Sequence, residues 1–238
     1  MNPRDKMISY LAGLIRDGDL VSTGVASLIP FLAVALAKRT YAPASRFITC
    51  SGAVDPVFEQ AGLSSDDSST FSSWSSFVPL PSLFDLGVRG GIDVMFFSGA
   101  QIDQSGRINL TSIGDYLKPK VKLPGPAGST VMLRRVQRPV LFTLQHTTRT
   151  LVAEVDFVTA DGCATRDSIE LVTELGVLTL RKDAPAVMTA RFSDLSEQEI
   201  QERTAFPLVF QNREAREQDI HTNTAILNEL DPEGRRYH

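Results

Sequence analysis

The strand–helix–strand order near the start of the chain limits the possible folds most. "DLVSTG" (19–24) reads as a buried strand. Residues 28–40 read as a helix. Pro30 falls in its first turn, where a missing N–H is harmless, and Lys38 and Arg39 close it, where the helix dipole favours cations. "RFITC" (46–50) is the next strand. A helical crossover joins strands that run parallel, which a tight turn cannot do. The expected class is therefore α/β: an open, mostly parallel sheet flanked by helices, in a single domain over residues 1–238.

The rest of the chain extends this pattern. Residues 4–16 predict a helix with Met7, Leu11, Leu14 and Ile15 on one face. "GIDVMFFSGAQID" (91–103) predicts the strongest core strand. "DQSG" then turns the chain into "GRINLTSIGDYLKP" (106–119), which alternates at Ile108, Leu110 and Ser112. "LPGPAGST" (123–130) is a Gly/Pro-rich loop. "RPVLFTLQ", "LVAEVDFVT", "IELVTE" and "GVLTL" are four further strand candidates. Residues 196–203 and 213–230 predict helices, the first capped by Ser193 or Ser196. The serine-rich "SSDDSSTFSSWSS" (64–76) reads as a surface loop, though Phe71 and Trp74 need something to pack on. No internal repeat and no clean linker divide the chain.

Composition narrows the function classes. The chain is 42% hydrophobic and 22% charged, as in soluble globular proteins. The net charge is −4 and no basic stripe is present, so nucleic acid is not an expected partner. The longest apolar run, "ASLIPFLAVALA" (26–37), is too short to span a bilayer and contains Pro30. The amphipathic N-terminus has no signal-peptide core, so a cytoplasmic location is expected and no membrane partner. A disulfide between Cys50 and Cys163 is not expected in a reducing compartment. Neither these residues nor His146, His221 and His238 have metal-ligand spacing.

Cys50 poses the chemical question. A strand ending in Cys50-Ser51-Gly52 puts a thiol at the carboxyl edge of the sheet, where open α/β proteins bind ligands. On the residues alone it is either a small buried hydrophobe or a reactive group.

"GAQIDQSGRINLTSIGDYLKPKVKLPG" (99–125), with "AKRTYAP" (37–43), "FVT" (157–159) and "TAFPL" (204–208) in order, resembles the β subunits of family I CoA-transferases, especially the glutaconate type. The resemblance implies an α-subunit partner, in a heterodimer or heterotetramer, with an acyl-CoA site between the subunits. In those transferases the strand ends in Glu-Ser-Gly, and the glutamate attacks the thioester. Cys50 stands at that place, so the family nucleophile is missing. A thiol does not form the acyl anhydride of the transferase route. With an ordinary pKa near 8.5 against about 4.3 for glutamate, it also removes a negative charge at neutral pH.

The resemblance also implies an oxyanion turn at Ser98-Gly99-Ala100-Gln101, where transferases have Gly-Gly-Ala-Gln, with backbone N–H groups of Gly99 and Ala100 facing a thioester oxygen. An oxyanion site without the carboxylate suits decarboxylation of a glutaconyl-type ester. The loss of CO2 leaves a dienolate, so the substrate is its own electron sink and coenzyme A is the only cofactor-like group required. Within the family this pattern resembles the small subunits of decarboxylases that convert 3-methylglutaconyl-CoA to 3,3-dimethylacrylyl-CoA on a route to isovaleryl-CoA. Cys50 is then the expected proton donor or part of the lining of the carboxylate pocket. Expected substrate and CoA contacts are Val25, Ala26 and Ser27 at a strand-to-helix turn, Ser51, Ser98, Gln101, and Gly125, Ala127 and Gly128 in the Gly/Pro loop. Lys118, Lys120, Lys122, Arg134 and Arg135 either meet CoA phosphates or form a solvated face. Cys163 and His146 are expected to have no catalytic role. The rival expectations are a ring-opening hydrolase of the same fold, a true CoA-transferase using another carboxylate such as Glu59, and a scaffold subunit.

Overall fold

The computed structural model describes residues 2–25, 27–57, 73–211 and 223–237. The chain forms two compact units, one from residues 1–96, 136–138 and 216–238 and the other from 97–135 and 139–215.

The first unit begins with α1 (Pro3–Gly13), whose Arg4 N–H is capped by the Asn2 carboxamide at 2.9 Å. Met7, Ile8 and Leu11 on α1 are fully buried. β1 (Leu20–Thr23) leads into α2 (Leu28–Thr40), in which every residue from Ile29 to Ala37 is buried. A helix this apolar on all sides must be covered on all sides. β2 (Arg46–Ile48), β3 (Ala53–Val54), β4 (Ser76–Phe77), α3 (Leu80–Val88) and β5 (Val94–Phe97) follow. The sheet runs β5-β1-β2-β3-β4. β1 is parallel to both β2 and β5, with Val21 aligned between Phe47 and Val94, while β2, β3 and β4 are antiparallel. A last helix, Thr224–Leu230, packs on α2.

In the second unit β6 (Gln101–Ile102), β7 (Arg107–Asn109) and β11 (Ala160–Asp161) form a small sheet, and β8 (Ser112–Ile113) pairs with β9 (Val121–Lys122). α4 (Ser129–Arg135) precedes β10 (Arg138–Thr143). β12 (Ser168–Thr173), β13 (Gly176–Arg181) and β14 (Ala186–Arg191) form an antiparallel meander. α5 (Glu197–Glu202) and β15 (Leu208–Phe210) complete it. The order is β15-β14-β13-β12-β10, with β10/β12 and β14/β15 parallel.

The class is the expected one, α/β with an open, mostly parallel sheet flanked by helices. Several local expectations need correction. The strand expected over 91–103 is broken into β5 and β6 by the Ser98–Ala100 turn. "LVAEVDFVT" is not a strand: only Leu151 bridges to Ile102, and its polar groups serve the loop after β7 instead. α3, β14 and β15 were not expected. Ser196, not Ser193, caps α5. Of the helix expected over 213–230, residues 223–230 are described and the helix spans Thr224–Leu230. Most of the serine-rich stretch and Glu59 lie outside the described residues.

Candidate active site

Cys50 lies just past the end of β2, at the tip of the hairpin to β3. Cys50 and Ser51 are the central residues of a turn closed by the Gly52 N–H, which donates to the Thr49 carbonyl at 3.0 Å. Thr49 holds the turn from below. Its N–H donates to the Ala53 carbonyl at 3.0 Å, its Oγ1 accepts from the Ala53 N–H at 3.0 Å, and it shares a 2.8 Å hydrogen bond with Ser51 Oγ. Gly52 is required here. Its φ is +99°, and a Cβ would fall 2.1 Å from the Val78 carbonyl oxygen. The Ser-Gly that follows Cys50 thus has a mechanical reason. Cys50 itself is half-buried and not in a disulfide.

The hairpin is anchored by a residue that sequence reasoning missed. The Asp55 carboxylate accepts from the Phe47 N–H at 2.9 Å, from Lys38 Nζ at 3.1 Å and from Arg46 Nε. Burial alone would raise its pKa, but these donors outweigh burial and hold it below the ordinary range.

The register places the carboxyl ends of β2 and β5 on either side of β1: Ser22 is level with Ile48, and Thr23 with Phe96. The chain leaves β1 toward β2 through α2, with β5 on the other flank, so β1 is where strand order reverses. Ligands bind at such points in open α/β sheets. Val25, just beyond, is 62% exposed, and Ser27 is buried with its Oγ donating to the Val25 carbonyl at 3.3 Å. Ala26 lies outside the described residues.

Ser98, Gly99, Ala100 and Gln101 lie in the second unit. Here the expectation of two free N–H donors narrows to one. The Ala100 N–H donates to the Asn109 carbonyl at 2.9 Å as part of the β6–β7 hairpin. The Gly99 N–H has no acceptor among the described residues. A Cβ on Gly99 would sit 2.9 Å from the Gln101 carbonyl and 3.0 Å from Ile108 Cβ. Gln101 supports the turn rather than opening onto it. It is buried, and its Oε1 accepts from Asn109 Nδ2 at 2.7 Å and from the Asp156 N–H at 3.0 Å. Asn109, also missed from sequence, is the hub: its Nδ2 donates to the Ser112 carbonyl at 2.6 Å and its Oδ1 accepts from the Thr111 N–H at 2.9 Å. Asp156 and Thr159 tie the same loop through the Gly114 and Leu110 N–H groups, at 2.7 and 2.9 Å.

The Gly/Pro loop is fastened to this region by the Gly125 N–H, which donates to the Leu110 carbonyl at 2.8 Å. Gly125 and Gly128 are half-buried and Ala127 is exposed. Lys118, Lys120, Lys122, Arg134 and Arg135 are all exposed. Cys163 is buried; desolvation first and then Asp161 push its thiol up to about 11, so it is protonated at neutral pH. His146 is buried between Thr173 Oγ1 at 2.9 Å and Thr204 Oγ1 at 2.8 Å. Desolvation first and then the Arg203 cation lower its pKa to about 4. Among the described residues no cluster of metal-ligating side chains occurs, and no helix is long and apolar enough to cross a membrane.

Residues 4–190 match the family described as coenzyme A transferase. The chain belongs to the coenzyme A transferase family. It is 35% identical over 159 residues to the B subunit of 3-oxoadipate CoA-transferase from Pseudomonas knackmussii, an alignment covering 66% of this chain and 60% of that relative. To the B subunit of glutaconate CoA-transferase from Acidaminococcus fermentans it is 27% identical, over 93% of this chain and 90% of the relative. Among solved structures, the decarboxylase AibA/AibB superposes with a TM-score of 0.91 at 34% identity, over 99% of this chain and 97% of that one. Variants of that decarboxylase in which one cysteine is replaced by alanine, serine, valine or asparagine superpose as well, at 0.88 to 0.89. These relatives are B subunits or belong to a two-component enzyme, which supports an α-type partner for this family member.

Proposed function

We propose that this chain is the B-type component of a two-subunit decarboxylase that converts 3-methylglutaconyl-CoA to 3,3-dimethylacrylyl-CoA and CO2, working in the cytoplasm. One observation carries the reading. The turn after β2 is built around Thr49, Ser51 and Gly52, with Cys50 in it, and the resemblance to the family's transferases implies a carboxylate nucleophile at that position. The 34% identity to a decarboxylase of the same fold supports it.

The chemistry needs little from the protein. Breaking the bond to the distal carboxylate sends its electron pair through the conjugated double bond to the thioester oxygen. That oxygen needs a hydrogen-bond donor to hold the developing charge. A poorly solvated carboxylate is lost more readily than a hydrated one, and Cys50 lowers the local negative charge compared with glutamate. The Cys50 S–H then donates its proton to the terminal carbon of the dienolate, and the thiolate regains a proton from water. No biotin, thiamine or pyridoxal is required, because the acyl-CoA accepts the electrons itself.

The test is mass spectrometry of 3-methylglutaconyl-CoA incubated with the two-subunit complex and no acceptor acid. The expected product is 3,3-dimethylacrylyl-CoA, with turnover lower by about 10²-fold or more in Cys50→Ala. A substrate that stays unchanged until acetate is added identifies a transferase. Addition of water without loss of carbon identifies a hydrolase. Either outcome overturns the decarboxylase reading.

A further inference from the structure

We propose that Thr23 is a substrate-binding residue whose hydroxyl donates a hydrogen bond to the free carboxylate at the acyl end of the CoA ester. The proposal rests on reading this sheet edge as the acyl-CoA site, and it adds a residue and a recognition element that the Cys50 argument does not contain.

Thr23 is the last residue of β1, at the point where strand order reverses. Its side chain is 1% exposed, and its Oγ1 has no hydrogen-bond partner among the described residues. The neighbouring hydroxyls are all engaged. Ser22 Oγ donates to the Ile48 carbonyl at 2.9 Å, Ser27 Oγ to the Val25 carbonyl at 3.3 Å, and Thr49 Oγ1 binds Ser51 and the Ala53 N–H. A buried hydroxyl without a partner is unfavourable, and valine would fill the same volume without that penalty. A threonine here is explained if its partner is a ligand.

The register says which end of the ligand. The β1/β2 ladder ends at Ser22 and Ile48, so Thr23 lies at the carboxyl end of β1, beside the turn that follows β2. That edge also carries the Cys50 turn, and on this ground the hydroxyl is assigned to the acyl end of the ligand. The cations beside this hairpin, Lys38 on α2 and Arg46 on β2, are held by Asp55. A single neutral donor orients a carboxylate without stabilising its charge as strongly as an ion pair would, which suits a carboxylate that must leave.

The experiment titrates glutaryl-CoA, which carries a free carboxylate, and butyryl-CoA, which does not, into the two-subunit complex. Wild type is compared with Thr23→Val and Thr23→Ser, and each protein is melted without ligand. Thr23→Val is expected to bind glutaryl-CoA about tenfold or more weakly, the loss for a hydrogen bond to a charged group, and butyryl-CoA as wild type does. Thr23→Ser should restore glutaryl-CoA binding. The Tm of Thr23→Val should equal or exceed that of wild type. Unchanged glutaryl-CoA affinity overturns the proposal, as does equal weakening toward both esters, which would assign the hydroxyl to the thioester or pantetheine. A fall in Tm with affinity intact would mean that a structural partner such as a bound water holds the hydroxyl, and also overturns it. Should Thr23→Val fail to assemble, Thr23→Ala removes the same hydroxyl and is judged by the same affinity ratio. A wild-type complex that releases no CO2 from 3-methylglutaconyl-CoA, yet binds glutaryl-CoA through Thr23, overturns the decarboxylase reading and leaves this one standing.

Discussion

Arg236 and Thr23 are almost equally buried, at 2% and 1% exposure, and the fold treats them in opposite ways. Each arm of the Arg236 guanidinium is partnered. Nε donates to Asp5 at 2.9 Å, Nη1 to Asp231 at 3.0 Å, and Nη2 to Asn228 and the Tyr237 hydroxyl at 2.6 and 2.7 Å. Thr23 has a hydroxyl and no partner among the described residues. One region ties Arg236 to Asp5 of α1; the other lies at the carboxyl end of β1. In the first, polar atoms satisfy one another. In the second, the fold leaves a donor that the described chain does not use.

The largest test of this contrast is Arg236→Met. It removes the cation and leaves the carboxylates of Asp5 and Asp231 buried without it, at 4% and 1% side-chain exposure. Breaking a buried pair from one side costs about 3–5 kcal/mol. Urea denaturation of the complex should show a loss of that size, against none for Thr23→Val. A loss of less than about 1 kcal/mol would mean that the clasp is not structural, and the comparison with Thr23 would fall.

His146 sharpens the comparison because it is buried, partnered and titratable. A neutral imidazole fits its two threonines, donating through one nitrogen and accepting at the other. Its pKa falls from 6.5 to about 4 on folding, so between these values the unfolded chain binds more protons than the folded one. The sign follows. The contribution is fully present above pH 6.5 and is lost as pH falls toward 4, in total roughly 3 kcal/mol. His146→Gln should flatten the stability–pH curve in that window relative to wild type. Parallel curves would show that His146 is not held neutral.

How much of this could be read from the sequence depends on the distance between partners. β1, α2 and β2 were legible because their signals are local: Pro30 in a first turn, cations at a helix end and short apolar runs. The Ser51-Gly52 turn was legible for the same reason, and its bonds span residues 49–53. The clasp was not, since Arg236 and Asp5 are 231 residues apart and neither stands in a motif. The turn at 98–101 was legible as a turn but not in detail. Which N–H remains available depends on hairpin register, and the Ala100 N–H pairs with Asn109. Thr23 was read as an ordinary strand residue, because an unpartnered hydroxyl shows only when all its neighbours are in place. "LVAEVDFVT" misled because its apolar spacing suits a strand, whereas Asp156 and Thr159 bind the loop after β7.

The smallest effect is expected at a site that is fully partnered but exposed. At the start of α5, Ser196 Oγ accepts from the Glu199 N–H at 3.3 Å, and the Glu199 carboxylate accepts from the Ser196 N–H at 2.8 Å. These bonds hold the Glu199 pKa below its ordinary value, led by the Ser196 backbone. The geometry is as complete as that around Arg236, but water is at hand to replace whatever is lost. Ser196→Ala should therefore lower Tm by only about 2–4 °C, the usual size for a lost cap in a chain of this length. It should leave acyl-CoA binding unchanged, because α5 contributes none of the proposed site residues. A drop as large as that of Arg236→Met would show that burial does not set the cost of a lost partner in this fold. The meaning given to the unpaired Thr23 hydroxyl depends on that rule.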